Sequence, residues 1–573
     1  MILDYYQSEL SKIKKLAKEF AAAYPAIAPM LREQSTDPDI ERLLEGVAFL
    51  TSQIQILLDD NLPDMVDDLT QIFFSQYSKP LPSSSIIQFI PKPNLGEAIL
   101  VKKGTELASI PINGTQCLFR TVVDVAVEPV IIEQIIFKES LHGDSFLQVD
   151  CQLCGVTLQN WTGKELRFFI RQPWEDACNT FYMLQRYVKR ILLRADNEKE
   201  YSLPLDNLIA CALESDDPLY PLAFKDDNTH CILHQYINQP YKFLFFKLTG
   251  LEKWLRESDA LRFQIAFELK DVPVWFTPPE TGNLVLHSVP IINLFEFHAD
   301  PIQLDHKKPE YRVLPSDNAD QHYQIYEVKE VIGYRQREKR QIVYDHALNF
   351  NDELDLNSKY TIHNRPAISG NGRDLYLGFF YDFGKEYPVD ETLSVTLTCT
   401  NGDLTRLLDE GDITQFTDSS PENLSFTNII PPSSNIPAVH DQSLIWNFQS
   451  LLALNFVQIL DKHYLKQIVN LYLYEKGENY HLNMSRIQGV EDILVQKSRR
   501  LYLAEMISGV SITLVCEPDH YKSIGDMYLF GCVLDIYFSQ NSPINTFTQL
   551  NLKNSRTKET WKWKPRLNNP NQK

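Results

Sequence analysis

The first fifty-odd residues carry two narrow apolar stripes, in which hydrophobic residues recur at alternating three- and four-residue spacing. This spacing puts them on one face of a helix and is typical of helices that pack as in coiled coils. The first stripe consists of Leu3, Tyr6, Leu10, Ile13, Ala17, Phe20 and Tyr24. The second stripe follows the helix-start signals Asp37 and Pro38 and consists of Ile40, Leu43, Val47, Leu50, Ile54 and Leu57. Pro63 is predicted to end the second helix.

Two ways of covering these stripes are compatible with the pattern. The two helices can fold onto each other or onto a core in the same chain, or the first helix can dock against helices of other subunits. An apolar side chain that stays in water forgoes about 1.5 to 3 kcal/mol, so a stripe of this size requires a covering surface. We therefore treat the first stripe, Leu3 to Tyr24, as candidate partner-binding residues.

Beyond residue 78 the pattern changes to short strand-like segments separated by Pro and Gly. One helical pattern, over residues 173–195, interrupts them, with Trp174, Ala177, Phe181, Leu184, Val188 and Leu192 on its apolar face. The chain is thus predicted to be an α+β multidomain protein. Its predicted parts are an N-terminal helical region (1–78), a β-rich middle region of two subdomains (79–420), a Pro-rich linker (421–440) and a mixed α/β C-terminal domain (441–573).

Composition and charge restrict the possible partners. The chain has 573 residues, of which 44% are hydrophobic, so it is long enough to bury several cores. Its formal net charge of -20 disfavours nucleic acid and anionic membrane surfaces, because the long-range field repels both. No signal-peptide pattern and no membrane-spanning apolar run is present, so we expect a cytosolic protein without direct membrane insertion.

A search for reactive groups finds no convincing site. The nine cysteines are scattered and do not form a disulfide framework. Cys151 and Cys154 form a single Cys-x-x-Cys, but they lie in a strand-like run where positions three apart face opposite ways. Gly378 to Lys385 is one residue too long for a phosphate-binding loop, and Asp305-His306 is typical of a charged connector. We predict no catalytic residue, no metal, no cofactor and no enzymatic activity.

Two basic segments oppose the overall acidity: the first consists of Arg335, Arg337, Lys339 and Arg340, and the second lies near the C-terminus. Lys553, Arg556, Lys558, Lys562, Lys564 and Arg566 are interleaved with Trp561 and Trp563. Such a segment can stack on and grip a single nucleic-acid strand. A solvated tail or a protein-docking patch is the favoured interpretation, because the rest of the chain is strongly acidic and no nucleic-acid-binding motif accompanies it.

Several sequence runs occur in the order found in one known family. Residues 37–50, Asp-Pro-Asp-Ile-Glu-Arg-Leu-Leu-Glu-Gly-Val-Ala-Phe-Leu, closely resemble the N-terminal signature of the TssF family, the baseplate subunits of type VI secretion systems. Residues 290–296, Pro-Ile-Ile-Asn-Leu-Phe-Glu, and 300–306, Asp-Pro-Ile-Gln-Leu-Asp-His, are similar to the family's central block. Residues 529–534, Leu-Phe-Gly-Cys-Val-Leu, fit its final part. Residues 540–543 and 561–567 depart from the family pattern.

The resemblance implies a structural role. A TssF-like chain is expected to be a wedge subunit of a cytosolic baseplate docked at the inner membrane. Its expected partners are TssG, TssK, a second TssF copy and the VgrG spike, with sheath proteins as further candidates. In that role it nucleates the tube and sheath and transmits contraction. Two other classes stay open: a baseplate wedge protein of another contractile injection particle or phage tail, and an enzyme whose site is assembled from distant residues.

Overall fold

The computed structural model describes the chain in fifteen stretches that form two compact units, and we treat each unit separately. Among the described residues, the first unit contains the two N-terminal helices, and the second unit contains the residues from Lys79 onward. The described residues are 2–24, 38–73, 79–139, 145–195, 199–214, 219–220, 231–316, 322–335, 340–347, 359–366, 373–380, 389–437, 454–473, 479–502 and 505–568.

The α-helices lie at the two ends of the chain and in one part of the middle region. In the described residues they are α1 (Ile2–Ala23), α2 (Pro38–Phe73), α3 (Trp174–Arg186), α4 (Cys211–Glu214), α5 (Cys231–Asn238), α6 (Phe456–Ile459), α7 (Lys462–Leu471), α8 (Tyr480–Gln488) and α9 (Ile524–Gln540). Both predicted N-terminal helices are present. The prediction that Pro63 ends the second one is wrong, because α2 continues to Phe73. A proline removes one hydrogen bond and kinks a helix, but residues 64–73 have apolar helical spacing of their own.

Strands dominate the region between the helical ends. The first eighteen are β1 (Ser84–Pro91), β2 (Ile99–Val101), β3 (Glu106–Ile112), β4 (Thr115–Thr121), β5 (Val125–Val127), β6 (Val130–Lys138), β7 (Ser145–Leu153), β8 (Leu166–Ile170), β9 (Val188–Ala195), β10 (Tyr201–Leu203), β11 (Leu208–Ala210), β12 (Phe245–Leu248), β13 (Arg262–Leu269), β14 (Leu284–Leu286), β15 (Ser288–Ile292), β16 (Phe295–His298), β17 (Ile302–Leu304) and β18 (Glu310–Arg312). The remaining strands are β19 (Gln324–Arg335), β20 (Arg340–His346), β21 (Lys359–Pro366), β22 (Arg373–Phe379), β23 (Glu391–Thr400), β24 (Ile413–Gln415), β25 (Leu424–Asn428), β26 (Val490–Tyr502), β27 (Glu505–Cys516), β28 (Phe547–Asn554), β29 (Thr560–Lys562) and β30 (Arg566–Leu567). The predicted α+β class with a β-rich middle is confirmed.

The strands form several sheets, almost all antiparallel. Their orders are β24-β3-β4-β15-β1-β25, β10-β9-β13-β7-β6, β11-β12-β8-β14, β16-β23-β19-β20-β21-β22-β18 with β17 beside β23, β2-β5, and β26-β27-β28-β29 with β30 beside β28. Only β20 with β21 and β27 with β28 are parallel among the described strand pairs. One hydrophobic cluster packs against the first of these sheets and a separate one against the sheet that contains β23.

The predicted Pro-rich linker is part of the first sheet. Strand β25 pairs with β1 from Ile87↔Asn428 to Pro91↔Leu424, and β1 pairs on its other side with β15. Ile436 also bridges to Leu81, with the Leu81 N–H donating to the Ile436 carbonyl over 2.7 Å. The interpretation of 421–440 as a spacer is therefore wrong for its described part. Prolines are tolerated beside an edge strand, and β25 is the edge of this sheet.

The helical pattern over residues 173–195 is split between a helix and a strand. Helix α3 ends at Arg186, and residues 188–195 form β9 between β10 and β13. Val188 and Leu192 are four positions apart, a spacing that puts two residues on one face of a helix and also on one face of a strand. Pairing with β13 decides between the two. Helix α3 packs against α9, so the region 441–573 does not have a core separate from that of the middle region.

A close approach of α3 and α9 depends on one glycine. A Cβ atom on Gly525 would lie 2.3 Å from the carbonyl oxygen of Cys178 and 2.5 Å from the backbone nitrogen of Asn179. The Gly525 N–H also donates to the Asn179 side-chain oxygen over 3.1 Å. No side chain fits here without moving one helix.

We expect Gly525→Ala to lower the free energy of unfolding by about 1–3 kcal/mol, because the added methyl must displace the α3 backbone. Urea denaturation followed by far-UV circular dichroism measures the change. The control is Gly46→Ala in α2, where nothing beyond the neighbouring residues and backbone of α2 itself lies within 4 Å of the new Cβ. That control is expected to be neutral or stabilising by up to about 1 kcal/mol through helix propensity. Equal effects of the two substitutions would contradict the close-approach account.

Two buried histidines make the second unit sensitive to acid. Burial lowers the pKa of His287 to about 3 and that of His234 to about 4. The Glu128 N–H donates to His287 Nε2 over 3.2 Å, so this nitrogen carries no proton. In the unfolded chain both rings titrate near a pKa of about 6.5. The unfolded state therefore binds more protons as pH falls below that value, and the stability that the neutral rings provide is lost.

Between pH 7 and pH 5 we expect each buried histidine to reduce the free energy of unfolding by about 2 kcal/mol. Glu128, whose pKa burial raises, offsets part of this loss, since its carboxyl group takes up a proton first in the folded state. Urea midpoints at the two pH values measure the change. His287→Asn is expected to flatten the dependence, because Asn does not titrate and tolerates the positive φ of 58° at this position. An unchanged slope in that variant would contradict the assignment.

Candidate assembly surfaces

Helices α1 and α2 form a pair whose closely packed faces carry small residues. Ala21 of α1 and Ala48 and Ser52 of α2 are only 2%, 0% and 0% exposed. Ser52 Oγ donates to the Phe49 carbonyl over 2.7 Å, so its hydroxyl is satisfied within the helix. Small side chains let two helix backbones approach closely. The face that α2 uses in the pair is therefore the face that carries Ala48 and Ser52.

The first stripe, proposed from the sequence as partner-binding, is divided by the structure. Its members Tyr6, Leu10, Ile13 and Ala17 are half-buried, whereas Phe20 and Tyr24 are 47% and 53% exposed. The rings of Phe20 and Tyr24 lie 5.1 Å apart. The side chain of Leu3 lies outside the described residues. The C-terminal end of the first stripe is the part that remains accessible.

The second stripe is the larger accessible surface. Leu43, Val47, Leu50 and Ile54 are 68%, 42%, 64% and 56% exposed, while the side chains of Ile40 and Leu57 lie outside the described residues. The second stripe stays exposed because α2 packs against α1 through a neighbouring face, the one that carries Ala48 and Ser52. The apolar spacing of the two stripes does not reveal this difference between them. The small-residue spacing Ala48-x-x-x-Ser52 was the available signal.

A second accessible surface, which sequence reasoning missed, is the hairpin of β26 and β27, called the arm below. Strand β28 pairs with β27 only from Gly509 onward, so the distal part of the arm extends beyond the sheet. There Leu501 and Met506 face each other across the two strands and are 71% and 64% exposed. Strand β26 is the edge of its sheet.

The groups weighed for metal or redox chemistry are buried. Cys151 lies in β7 and is 1% exposed, and Cys154 follows the strand and is 8% exposed. Burial raises the pKa of both thiols, which disfavours the thiolate that binds metal or attacks a disulfide. Within the described residues no group of three His, Cys, Asp or Glu side chains is close enough to hold a metal ion.

The other candidates have structural partners. Asp305 Oδ1 accepts a hydrogen bond from the Tyr311 hydroxyl over 2.7 Å, while His306 Nε2 lies 3.0 Å from the Val389 carbonyl oxygen. These two neighbours therefore point to different partners and do not form a dyad. Gly378 lies in β22, and the continuation of its phosphate-loop-like sequence at Gly384 and Lys385 lies outside the described residues.

The basic C-terminal segment does not present its tryptophans as a stacking platform. Trp561 is 5% exposed and its indole N–H donates to the Tyr182 hydroxyl over 2.8 Å. Trp563 stacks on Tyr528 with ring centroids 5.5 Å apart. Both rings are used in packing the C-terminal strands against the rest of the unit, which removes the basis for gripping a nucleic-acid strand.

Comparisons with known proteins agree along the whole chain. The sequence model of the family described as "Type VI secretion system, TssF" matches residues 1–569. The type VI secretion system component TssF1 of Pseudomonas aeruginosa is 24% identical over an alignment 611 positions long, which covers 98% of each chain. A chain in the solved TssK-TssF-TssG baseplate subcomplex of a type VI secretion system superposes with a TM-score of 0.80 at 22% identity, covering 93% of this chain and 99% of the other. A chain in the solved type VI baseplate complex superposes with a TM-score of 0.56 at 20% identity over 100% of both chains.

The fold is that of chains found in solved type VI secretion system baseplate structures, and the accessible apolar faces on α2 and the arm are compatible with a subunit of an assembly. The chain belongs to the TssF family of the type VI secretion system. In the described part of the chain, every helix is too short or too polar to cross a membrane.

Proposed function

We propose that this chain is a wedge subunit of a type VI baseplate and that α1 and α2 supply its share of a helical bundle with other subunits. The observation that carries the proposal is the second stripe, four large apolar side chains on one face of a helix, each more than two-fifths exposed. A stripe of this width matches the seam of a coiled-coil-like bundle. Because the chain belongs to the TssF family, we expect helices of other baseplate subunits to cover this exposed stripe.

The expected occupants are helices of TssG, since relatives of this chain occur in a TssK-TssF-TssG subcomplex. The first stripe, Leu3, Tyr6, Leu10, Ile13, Ala17, Phe20 and Tyr24, contributes through its accessible end at Phe20 and Tyr24. A second copy of the chain, TssK adaptors, the VgrG spike and sheath proteins complete the proposed surroundings. The proposed location is the cytoplasmic face of the inner membrane, where the baseplate docks.

In this role the chain makes and breaks no covalent bond. It holds neighbouring parts in register, gives the tube and sheath a base on which to assemble, and passes on the rearrangement that accompanies sheath contraction. The buried cysteines and histidines then serve packing, which agrees with the pKa shifts that burial imposes on them.

Co-expression with TssG- and TssK-family proteins from the same source, followed by mass measurement of the purified complex, tests the proposal. The expected result is a complex that contains all three proteins and more than one copy of this chain. The proposal fails if the chain purifies alone as a stable monomer in the presence of both proteins.

A further inference from the structure

The arm has a free edge with an uneven distribution of charge. Along β26, Glu491 and Asp492 lie at the end near the sheet core, while Lys497, Arg499 and Arg500 lie toward the tip. Within the described residues, two side-chain contacts to the β26 backbone lie at its base: Lys462 Nζ donates to the Glu491 carbonyl over 2.5 Å, and the Ile493 N–H donates to Asp492 Oδ1 over 2.9 Å. An exposed strand edge offers unpaired N–H and C=O groups to another strand.

The distal arm also lacks the support that a two-stranded ribbon needs. A hairpin that stands alone in water is marginally stable, and three or more strands are required for independent stability. Between Gly509 and the tip, the arm has only two strands. The cross-strand pair Leu501 and Met506 at the tip leaves most of its surface in water. Added strands would supply the missing neighbours.

The order of charged residues along β26 indicates which strand can pair with its free edge. Basic residues along an edge normally prevent self-association. In this strand the acidic end and the basic end are complementary when two copies run antiparallel. Pairing centred on Gln496 sets Asp492 opposite Arg500 and Glu491 diagonal to Arg499, and the twofold symmetry repeats both contacts.

We propose that β26 pairs antiparallel with β26 of a second copy of this chain, so that the two sheets join into one continuous sheet through their β26 edges. Leu494 then lies opposite Ser498 of the second copy, and Gln496 lies on the twofold axis. Such an interface is smaller than the roughly 1,000 Å² that a stable complex usually requires, so it depends on the proposed baseplate assembly to hold two copies close together.

Single cysteines test the register within the complex that contains the TssG- and TssK-family proteins. Gln496→Cys is expected to cross-link to itself under mild oxidation or with a short thiol cross-linker. Leu494→Cys and Ser498→Cys are expected to cross-link when the two variants are mixed and to do so poorly alone. Val274→Cys, at a fully exposed position outside the arm, is the control and should stay uncross-linked. The native cysteines interfere little, because eight of the nine are buried.

Charge reversal tests the complementarity. In the Gln496→Cys background, either Glu491→Lys with Asp492→Lys or Arg499→Glu with Arg500→Glu should reduce the cross-linked fraction about tenfold, because like charges then face each other. Mixing the two reversed variants should restore it. Because Arg500 also donates to Gln549 and lies over the Phe547 ring, circular dichroism checks the fold of each variant.

The outcomes separate this inference from the proposed function. Cross-linking that is absent, or that ignores charge, overturns the pairing while the complex with the TssG- and TssK-family proteins still forms. If that complex does not form, the same cross-links measured on the free chain at high concentration decide the pairing independently. A register centred elsewhere than Gln496 also overturns it, because the charge match is then lost.

Discussion

Replacing Leu43 and Leu50 with Asp should abolish co-purification with a TssG-family protein while both compact units stay folded. In the free chain these side chains are 68% and 64% exposed, so a carboxylate at either position remains largely in water. In a bundle each leucine contributes about 1.5–3 kcal/mol of burial, and each aspartate adds the cost of a buried charge. The combined loss exceeds about 5 kcal/mol, which weakens binding at least a thousandfold. Affinity pull-down followed by mass photometry measures the effect.

A matched control uses apolar residues of similar exposure outside the stripe. Leu255 and Val274 are 79% and 106% exposed, so Leu255→Asp with Val274→Asp makes the same change in charge and a similar change in hydrophobicity on the second unit. We expect that variant to co-purify normally. If both double variants bind the partner equally well, the second stripe is not the docking surface.

Leu10→Asp with Ile13→Asp addresses the first stripe. Because these two residues are half-buried in the isolated chain, their replacement is expected to disturb α1 itself as well as docking. Loss of co-purification accompanied by loss of helical signal is the predicted combination. Retention of both would contradict a role of the half-buried part of the first stripe in folding α1 or in docking.

Asp526→Ala should be among the most destabilising single substitutions in the chain. Arg486 and Asp526 are 1% and 0% exposed, and Arg486 Nη2 donates to Asp526 Oδ1 over 2.5 Å while Nε donates to Oδ2 over 3.2 Å. Asn483 Oδ1 accepts from Arg486 Nη1 over 2.7 Å, and the Trp174 indole N–H donates to Asp526 over 3.2 Å. This network joins α3, α8 and the first turn of α9.

Removing the carboxylate leaves the guanidinium buried without its anion, which costs about 3–5 kcal/mol. Urea denaturation followed by tryptophan fluorescence measures the loss, and Trp174 reports on the site directly. Asp519→Ala breaks the pair between Arg556 and Asp519, whose side chains are 63% and 57% exposed, and should change stability little. Asp526→Leu with Arg486→Met should recover much of the loss, because an apolar pair leaves no buried charge. Equal midpoints for the two single variants would refute the assignment.

The local spacing of hydrophobic residues predicted the parts of the fold that depend only on which face of a single helix or strand is apolar. The spacing of apolar residues identified α1 and α2, and short strand-like segments identified the β-rich middle, because period alone decides which side of an element is apolar. It failed where two elements were compatible with one pattern, as over residues 188–195. It failed again at residues 424–428, where prolines close by concealed an edge strand of the first sheet.

The candidate assembly surfaces were likewise predicted only in part. The sequence identified both stripes and their width, but it could not say which one the helix pair would use. That depended on whether the stripe or the small face at Ala48 and Ser52 offered the closer approach to α1. Nor could it reveal the arm, since exposure of β26 depends on where β28 begins its pairing with β27.

The sequence by itself determined the family, the α+β class and the existence of two apolar helical stripes, since each is written in the order and spacing of neighbouring residues. Only the tertiary structure decided which stripe stays accessible, which strand is an edge and that α3 and α9 share a core through Gly525. The physical reason is that burial is a property of contacts between distant segments, and a local pattern states only that a face must be covered.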